Sequence, residues 1–348
     1  MDAIVETPAP RESRGERLRF GTAGETLKNR RQVLILGRGD FAMTCWQILS
    51  QEPRMAGRVV GFVDHFDCDQ VGDAVLGNLA ELPELVQRYK VGMIVVCLED
   101  RRSTLPVDVL LKLKVTGIEI IDGHRLFEKV TGRLSIDSLR PSALIFSAGF
   151  KRRAVAMRMK RVVDVTIASL GLLLMAPVLV IVAILIKLDS PGPIFYCQSR
   201  VGRGSQPFMI IKFRSMVNDS ETSGPRWAQK NDHRISRVGR WLRKARIDEI
   251  PQFINVLKGE MSVVGPRPER PMFVEELRTQ IPYYDIRHTV RPGITGWAQV
   301  MFGYAASQED SHLKFQYDLY YIKNLSLWLD LKALSKTIRV LIKGEGAR

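Results

Sequence analysis

Val165–Ile186, VTIASLGLLLMAPVLVIVAILI, runs for 22 residues without a charge and stops at Lys187-Leu188-Asp189. At ~1.5 Å of rise per residue, such a helix matches the ~30 Å hydrocarbon layer of a bilayer. Pro177, near its middle, deletes one helical hydrogen bond and bends the axis. Two arrangements are open. A kinked single span would put the flanking parts of the chain on opposite sides. A helix-break-helix hairpin would enter and leave by one face, with Thr166 and Ser169 meeting the freed carbonyls. Both flanks read as cytosolic and only one segment is long enough to cross, so a re-entrant helix broken at Pro177 is the expected form.

Just upstream, Lys151–Arg161 (KRRAVAMRMKR) is basic, and Lys160 and Arg161 at its end are expected to meet lipid headgroups. The charge is unevenly spread: residues 1–150 carry 20 basic and 20 acidic side chains, whereas residues 151–348 carry 32 and 17. The whole excess of +15 therefore lies in the C-terminal part, which should face something anionic. A nucleic-acid binder would explain that charge but not the apolar segment, so no nucleic acid is expected. Four cysteines, Cys45, Cys68, Cys97 and Cys197, show no C-x-x-C spacing and suit a reducing compartment.

Residues 1–30 are polar and Pro/Gly-punctuated and read as a disordered lead-in rather than a signal peptide. Residues 31–150 alternate short apolar runs (Gln32–Leu36, Val59–Val63, Gly92–Leu98, Ile118–Ile121) with helical stretches, the pattern of a doubly wound parallel fold. Gly37-x-Gly39-x-x-Ala42 follows the first run, and Asp64 follows the second, as in a dinucleotide site. The same glycines also serve a tight turn with no ligand, and whether this domain binds a nucleotide, pairs two copies into a homodimer or regulates stays open.

Residues 151–190 form the basic segment and membrane helix, and residues 191–348 a second α/β domain. Within PFMIIKFRS, Lys212 and Arg214 share one strand face and Phe213 takes the other. Two cations on a half-buried strand are costly unless they meet anions. The run RKARIDEIPQFINVLKGEMSVVGPRPER, Arg243–Arg270, sets the pair Asp248-Glu249 among cations and ends in a proline-bounded turn displaying Arg267. By itself the pair reads either as a helix cap or as a nucleophile and metal ligand acting on a phosphate ester. Arg291 lies in a second Gly/Pro loop, and Leu325–Ile342 has the pattern of an interfacial or core helix.

Taken in order, KR-x-x-D (Lys160, Arg161, Asp164), the Pro-broken apolar helix, KFRSM (Lys212–Met216), R-x-D-E-x-P-Q (Arg246–Gln252), NVLKGEMS-x-VGPRP (Asn255–Pro268), RPGITGWAQV (Arg291–Val300) and YDLYYIKN (Tyr317–Asn324) resemble the bacterial sugar transferase family, the monotopic phosphoglycosyl transferases. The likeness runs from about Lys160 to the C-terminus, and residues 31–150 look like the Rossmann-like domain of larger, exopolysaccharide-type members. Ala176-Pro177 stands where that family usually has serine-proline.

The resemblance implies a chemistry. Asp248 would attack the sugar-bearing phosphate of a UDP-sugar, with glucose or galactose as the expected sugar, expel UMP and hold the phosphosugar covalently until undecaprenyl phosphate takes it. Glu249 would bind Mg2+ with Asp248 or handle protons. Lys212, Arg243, Arg267 and Arg291 would hold the diphosphate. The implied location is the cytoplasmic face of the bacterial inner membrane, monotopic on the lipid bilayer.

Overall fold

A computed structural model describes residues 32–53, 55–64, 75–98, 104–136, 141–151, 153–216, 234–302 and 308–343. The expected lead-in and Arg152 of the basic segment lie outside them. The chain divides into two compact units, residues 1–126 and 127–348.

The first unit is built on five parallel strands, β1 (Gln32–Leu36), β2 (Val59–Asp64), β3 (Val75–Asn78), β4 (Val91–Val96) and β5 (Glu119–Asp122), in the order β3-β2-β1-β4-β5. Helices α1 (Asp40–Gln51), α2 (Leu82–Arg88) and α3 (Val107–Val115) connect them. Every residue of β4 is buried, which is why VGMIVV is continuously apolar rather than alternating. Leu34, Leu36, Val63 and Ile94 make the core with Leu82, Leu85 and Leu110 from the helices. Gly37, at φ +100°, lies so close to β4 that a Cβ there would stand 3.0 Å from the Cys97 carbonyl. Packing alone therefore demands this glycine. Phe41 stacks on His124, ring centroids 4.1 Å apart.

The division at residue 126 falls upstream of the boundary at residue 150 drawn from sequence. Helix α4 (Gly123–Thr131) runs across it, and α5 (Pro141–Phe146) follows. Leu134 and Ile136 are buried among Leu277, Phe315 and Leu319 of the second unit, and Trp297 Nε1 donates to the Gly132 carbonyl at 2.8 Å.

In the second unit α6 (Ala154–Asp189) is one uninterrupted helix of 36 residues with Pro177 inside it. The break expected at Pro177 is not a gap in helical structure, since proline forfeits one N–H and the apolar residues on either side continue the helix. Only 11% of its most apolar window is buried within the protein, far too little for a core helix. The helix is held at both ends by the same unit. Before Pro177, Ala168 is buried with Val256 and Val263, and a Cβ at Gly171 would stand 2.8 Å from the Phe253 ring. After it, Val182 and Ile186 are buried with Phe213 and Leu242, with Val178 and Leu179 packed against them. Between these contacts lies Leu172–Pro177, ~9 Å of helix.

Strands β6 (Phe195–Val201) and β7 (Pro207–Phe213) pair antiparallel. Then come α7 (Arg237–Lys244), α8 (Gln252–Lys258), β8 (Ser262–Val264), α9 (Pro271–Gln280), β9 (Gly293–Thr295), α10 (Trp297–Phe302), α11 (Gln308–Lys323) and α12 (Leu327–Lys343). β8 and β9 pair in parallel, which brings the two Gly/Pro loops together. A Cβ on Gly293 would fall 2.1 Å from Gly265 N, and one on Gly296 2.3 Å from Gly265 O, so neither position admits a side chain.

Candidate active site

Ser236 caps α7, its hydroxyl accepting from Gly239 N at 2.9 Å. At Gly239 a Cβ would fall 2.0 Å from the Ser215 carbonyl, so the helix can close on the end of the β7 segment only there. That closure puts Arg243 Nε 2.9 Å from Ser215 Oγ. Arg246 then adopts a left-handed conformation (φ 55°, ψ 22°), uncommon for a side-chain-bearing residue, and turns the chain into a 3₁₀ turn, Ile247–Glu249. Asp248 and Glu249 sit on this turn, before α8.

Asp248 does not cap α8. Among the described residues no side chain caps that helix; its first amides bond within the turn, Phe253 N to Ile250 O at 3.0 Å and Ile254 N to Pro251 O at 3.0 Å. The cap reading of the pair therefore falls, and the two carboxylates divide sharply. Glu249 Oε1 takes both neighbouring cations, Arg267 Nη2 at 2.6 Å and Lys212 Nζ at 3.2 Å. Asp248 is 8% exposed and has no hydrogen bond or ion pair among the described residues.

Burial would raise the Glu249 carboxyl, but Arg267 and Lys212 overcome it and hold it well below the usual carboxylate range. Asp248 is pushed up to about 6, first by burial and then by the negative Glu249 beside it, while Lys212 and Arg243 pull it down. Burial lowers the Lys212 ammonium, and Glu249 opposes the shift.

Asn255, fully buried, fixes Lys212 relative to this turn. Its Oδ1 accepts from Ile211 N at 3.0 Å, and its Nδ2 donates to Met209 O and Glu260 Oε2, both at 2.7 Å. One side-chain amide thus docks α8 along the edge of β7. Arg287, also buried, fixes the other cation by donating from Nη2 to the Arg267 carbonyl at 2.9 Å and to Asp318 Oδ2 at 3.0 Å. Arg200 joins the same floor, donating to Pro268 O at 3.1 Å, with burial lowering its pKa to about 10.

Asp248, Glu249, Lys212, Arg243 and Arg267 are thus together. The other residues singled out from sequence are elsewhere. Arg291 Nε donates to Gly259 O at 2.9 Å, at the far end of α8, where Arg161 donates to Val256 O at 2.6 Å and Leu257 O at 2.9 Å. Lys160 is buried, donating to Val264 O at 3.0 Å and pairing with Asp330 at 2.7 Å. Arg214, expected on the strand face with Lys212, lies past the end of β7 and caps α6 instead, donating to Ile186 O at 3.2 Å, Ser190 O at 2.6 Å and Pro191 O at 2.8 Å. Helix-terminal carbonyls, rather than a substrate, satisfy that cation.

A family model described as "Bacterial sugar transferase" matches residues 155–344, more than half of the chain. The chain belongs to the bacterial sugar transferase family. Among its relatives, the UDP-N-acetylgalactosamine-undecaprenyl-phosphate N-acetylgalactosaminephosphotransferase of Aeromonas hydrophila is 46% identical over 69% of this chain and 56% of its own length. The undecaprenyl-phosphate glucose phosphotransferase of Komagataeibacter xylinus is 35% identical over 89% of this chain and 58% of its own. The UDP-glucose:undecaprenyl-phosphate glucose-1-phosphate transferase of Escherichia coli (strain K12) is 32% identical over 89% and 67%. The chain thus spans between about half and two thirds of the length of these sugar transferases. The matched region holds every residue of the cluster around Asp248.

Arg287, Asp318, Asn255, Ser215 and Arg200 were not singled out from sequence as site residues. Each lies within or beside a motif, but an asparagine docking a strand edge and an arginine gripping a backbone carbonyl leave no spacing signal.

Proposed function

We propose that this chain moves a sugar-1-phosphate from a UDP-sugar to undecaprenyl phosphate through a phosphosugar carried on Asp248. The observation that carries this reading is the division of labour in the carboxylate pair. Glu249 is neutralised by Arg267 and Lys212, while Asp248, buried beside it, has no hydrogen-bond or ion-pair partner among the described residues. A buried carboxylate with few hydrogen bonds is a better nucleophile than a fully solvated one.

In the first displacement an Asp248 oxygen bonds to the sugar-bearing phosphorus, and the bond from that phosphorus to the bridging oxygen breaks. UMP leaves with that oxygen and its electron pair. In the second, an oxygen of undecaprenyl phosphate attacks the same phosphorus, and the Asp248 carboxylate departs unchanged. Phosphoryl transfer depends mostly on positioning and charge neutralisation, which Lys212, Arg243 and Arg267 supply. At neutral pH Asp248, with its pKa near 6, is mostly ionised and ready to attack.

Mg2+ fits this site. Among the described residues no group of three or more His, Cys, Asp or Glu could cage a metal. One or two carboxylates are nonetheless the usual protein share for Mg2+, and Asp248 and Glu249 supply two. Asp248 and Glu249 would hold the ion, which when bound neutralises charge on the diphosphate.

The packing of α6 supports one-sided, monotopic insertion at the cytoplasmic face of the inner membrane. The ~9 Å of helix between its two sets of contacts cannot cross a ~30 Å hydrocarbon layer. The strand order of the first unit supports a Rossmann-like domain.

Glucose or galactose is the proposed sugar; the relative at 46% identity favours a second reading, N-acetylgalactosamine. UMP release should be measured over a panel of UDP-sugars with undecaprenyl phosphate and Mg2+. Asp248→Asn should lower turnover by about four orders of magnitude or more. Near-normal UMP release by that variant would sink the covalent role.

A further inference from the structure

At the far end of α8 three guanidinium groups converge, with Asp164 the nearest carboxylate. Arg161 and Arg291 both hold carbonyls of the last turn, and Gly259, at φ +87°, lies beneath them, its virtual Cβ 3.6 Å from Arg161 Nη2. Arg203 reaches in from the tight turn joining β6 to β7, where Gly202 N donates to Gln206 O at 2.8 Å. None of the three makes an ion pair among the described residues. The nearest acid, Asp164, is already used by Ser262 Oγ at 2.8 Å and Val263 N at 3.0 Å. Burial lowers the Arg291 pKa, and Arg161 and Arg203 lower it further by repulsion.

We propose that Arg203 and Arg291, backed by Arg161, bind the phosphate of an anionic membrane lipid at a site separate from Asp248 and Glu249. Two terminal nitrogens of Arg291 and the whole of the exposed Arg203 guanidinium are available for it, the bidentate geometry that arginine offers phosphate. Arg203 and Arg291 line one cavity with Lys160, Asp164 and Thr289, and its other walls include the apolar Met157 and Leu325. A free phosphate has no use for those apolar walls, whereas a lipid headgroup with the start of its acyl chains does.

Location favours lipid too. Arg161 stands four residues before the uncharged run of α6, and Val155, Met159 and Val162 beside it are 67%, 53% and 65% exposed. The site is not the reacting centre. The carboxylate pair precedes the first turn of α8 and the arginines hold its last, ~10 Å along the axis. A reacting phosphate must come within about 3–3.5 Å of its partner.

This inference rests on the monotopic reading above, and its test keeps the two apart. The full chain would be floated with phosphatidylcholine vesicles with and without phosphatidylglycerol. The wild-type protein should bind the anionic vesicles more tightly. Arg203→Gln should lose about tenfold of that preference, the worth of one charge-assisted hydrogen bond to phosphate, and Arg291→Gln a similar factor.

Arg203→Lys discriminates site from general attraction, because it keeps the charge and loses the fork. It should bind like Arg203→Gln, and wild-type binding by it would overturn the proposal. Inorganic phosphate at matched ionic strength should leave vesicle binding intact, and displacement would show a free-phosphate site instead. Arg203→Gln should release UMP normally in neutral detergent; loss of that turnover would assign the arginines to the acceptor and overturn the proposal. Asp248→Asn should keep the lipid preference while losing turnover, so failure of the catalytic reading leaves this one standing.

Discussion

Arg287 grips the backbone of Arg267: its Nη2 lies 2.9 Å from the Arg267 carbonyl, while the Arg267 guanidinium reaches Glu249 at 2.6 Å. The cation facing the carboxylate pair is therefore set by a second arginine that does not touch the pair. Arg287→Lys keeps the charge beside Asp318 but cannot reach both oxygens. KM for the UDP-sugar should rise about tenfold, the worth of one charge-assisted hydrogen bond, with kcat less affected. An unchanged KM would remove Arg287 from the positioning of Arg267.

Turnover should depend on pH through Asp248. Its folded value, near 6, lies above the ordinary 3.8, so protonation would disarm the proposed nucleophile as pH falls through 6. kcat/KM should drop about tenfold per pH unit below that point. Glu249 raises this value and Lys212 lowers it. Glu249→Gln should move the acid midpoint down and Lys212→Met should move it up. Midpoints that stay put in both variants would contradict the assignment.

Lys160 and Asp330, both 7% exposed, form a buried pair 2.7 Å long, and Tyr321 OH donates to the other Asp330 oxygen at 2.7 Å. Lys160→Met leaves Asp330 without its cation and should cost about 3–5 kcal/mol, read as a lowered thermal midpoint in detergent. Adding Asp330→Leu should restore much of that loss. A double variant as unstable as the single one would show that the pair is not the stabilising unit.

Gly239 lies against backbone, not a movable side chain, so Gly239→Ala must push α7 away from Ser215. Overpacking of this kind costs about 1–3 kcal/mol. Because Arg243 is held by Ser215 Oγ, activity should fall more than stability suggests. UMP release measured well below the thermal midpoint would separate the two effects.

Much of this was legible in the chain. Apolar runs at Gln32–Leu36 and Gly92–Leu98 announced the buried parallel strands, and the grouping of Lys212, Arg243 and Arg267 around Asp248-Glu249 followed motif order. Cations gave the least reliable reading. Lys160 and Arg214 looked like charges awaiting an external anion, yet each meets a carbonyl inside the protein. An arginine satisfied by a helix end and one awaiting phosphate are identical in sequence, because backbone acceptors leave no residue code. Pro177 shows a related limit: sequence records the missing donor, not whether neighbouring residues sustain the helix.

The double fastening of α6 has a mechanical consequence. A helix anchored at one end can tilt to suit thicker or thinner bilayers. With Ala168 and Gly171 fixed on one side of Pro177, and Val182 and Ile186 on the other, α6 has no such freedom. On the one-sided insertion proposed above, its depth is dictated by the domain that carries it, so a change of acyl-chain length would deform the lipid around the helix and leave the height of Asp248 above the bilayer unaltered.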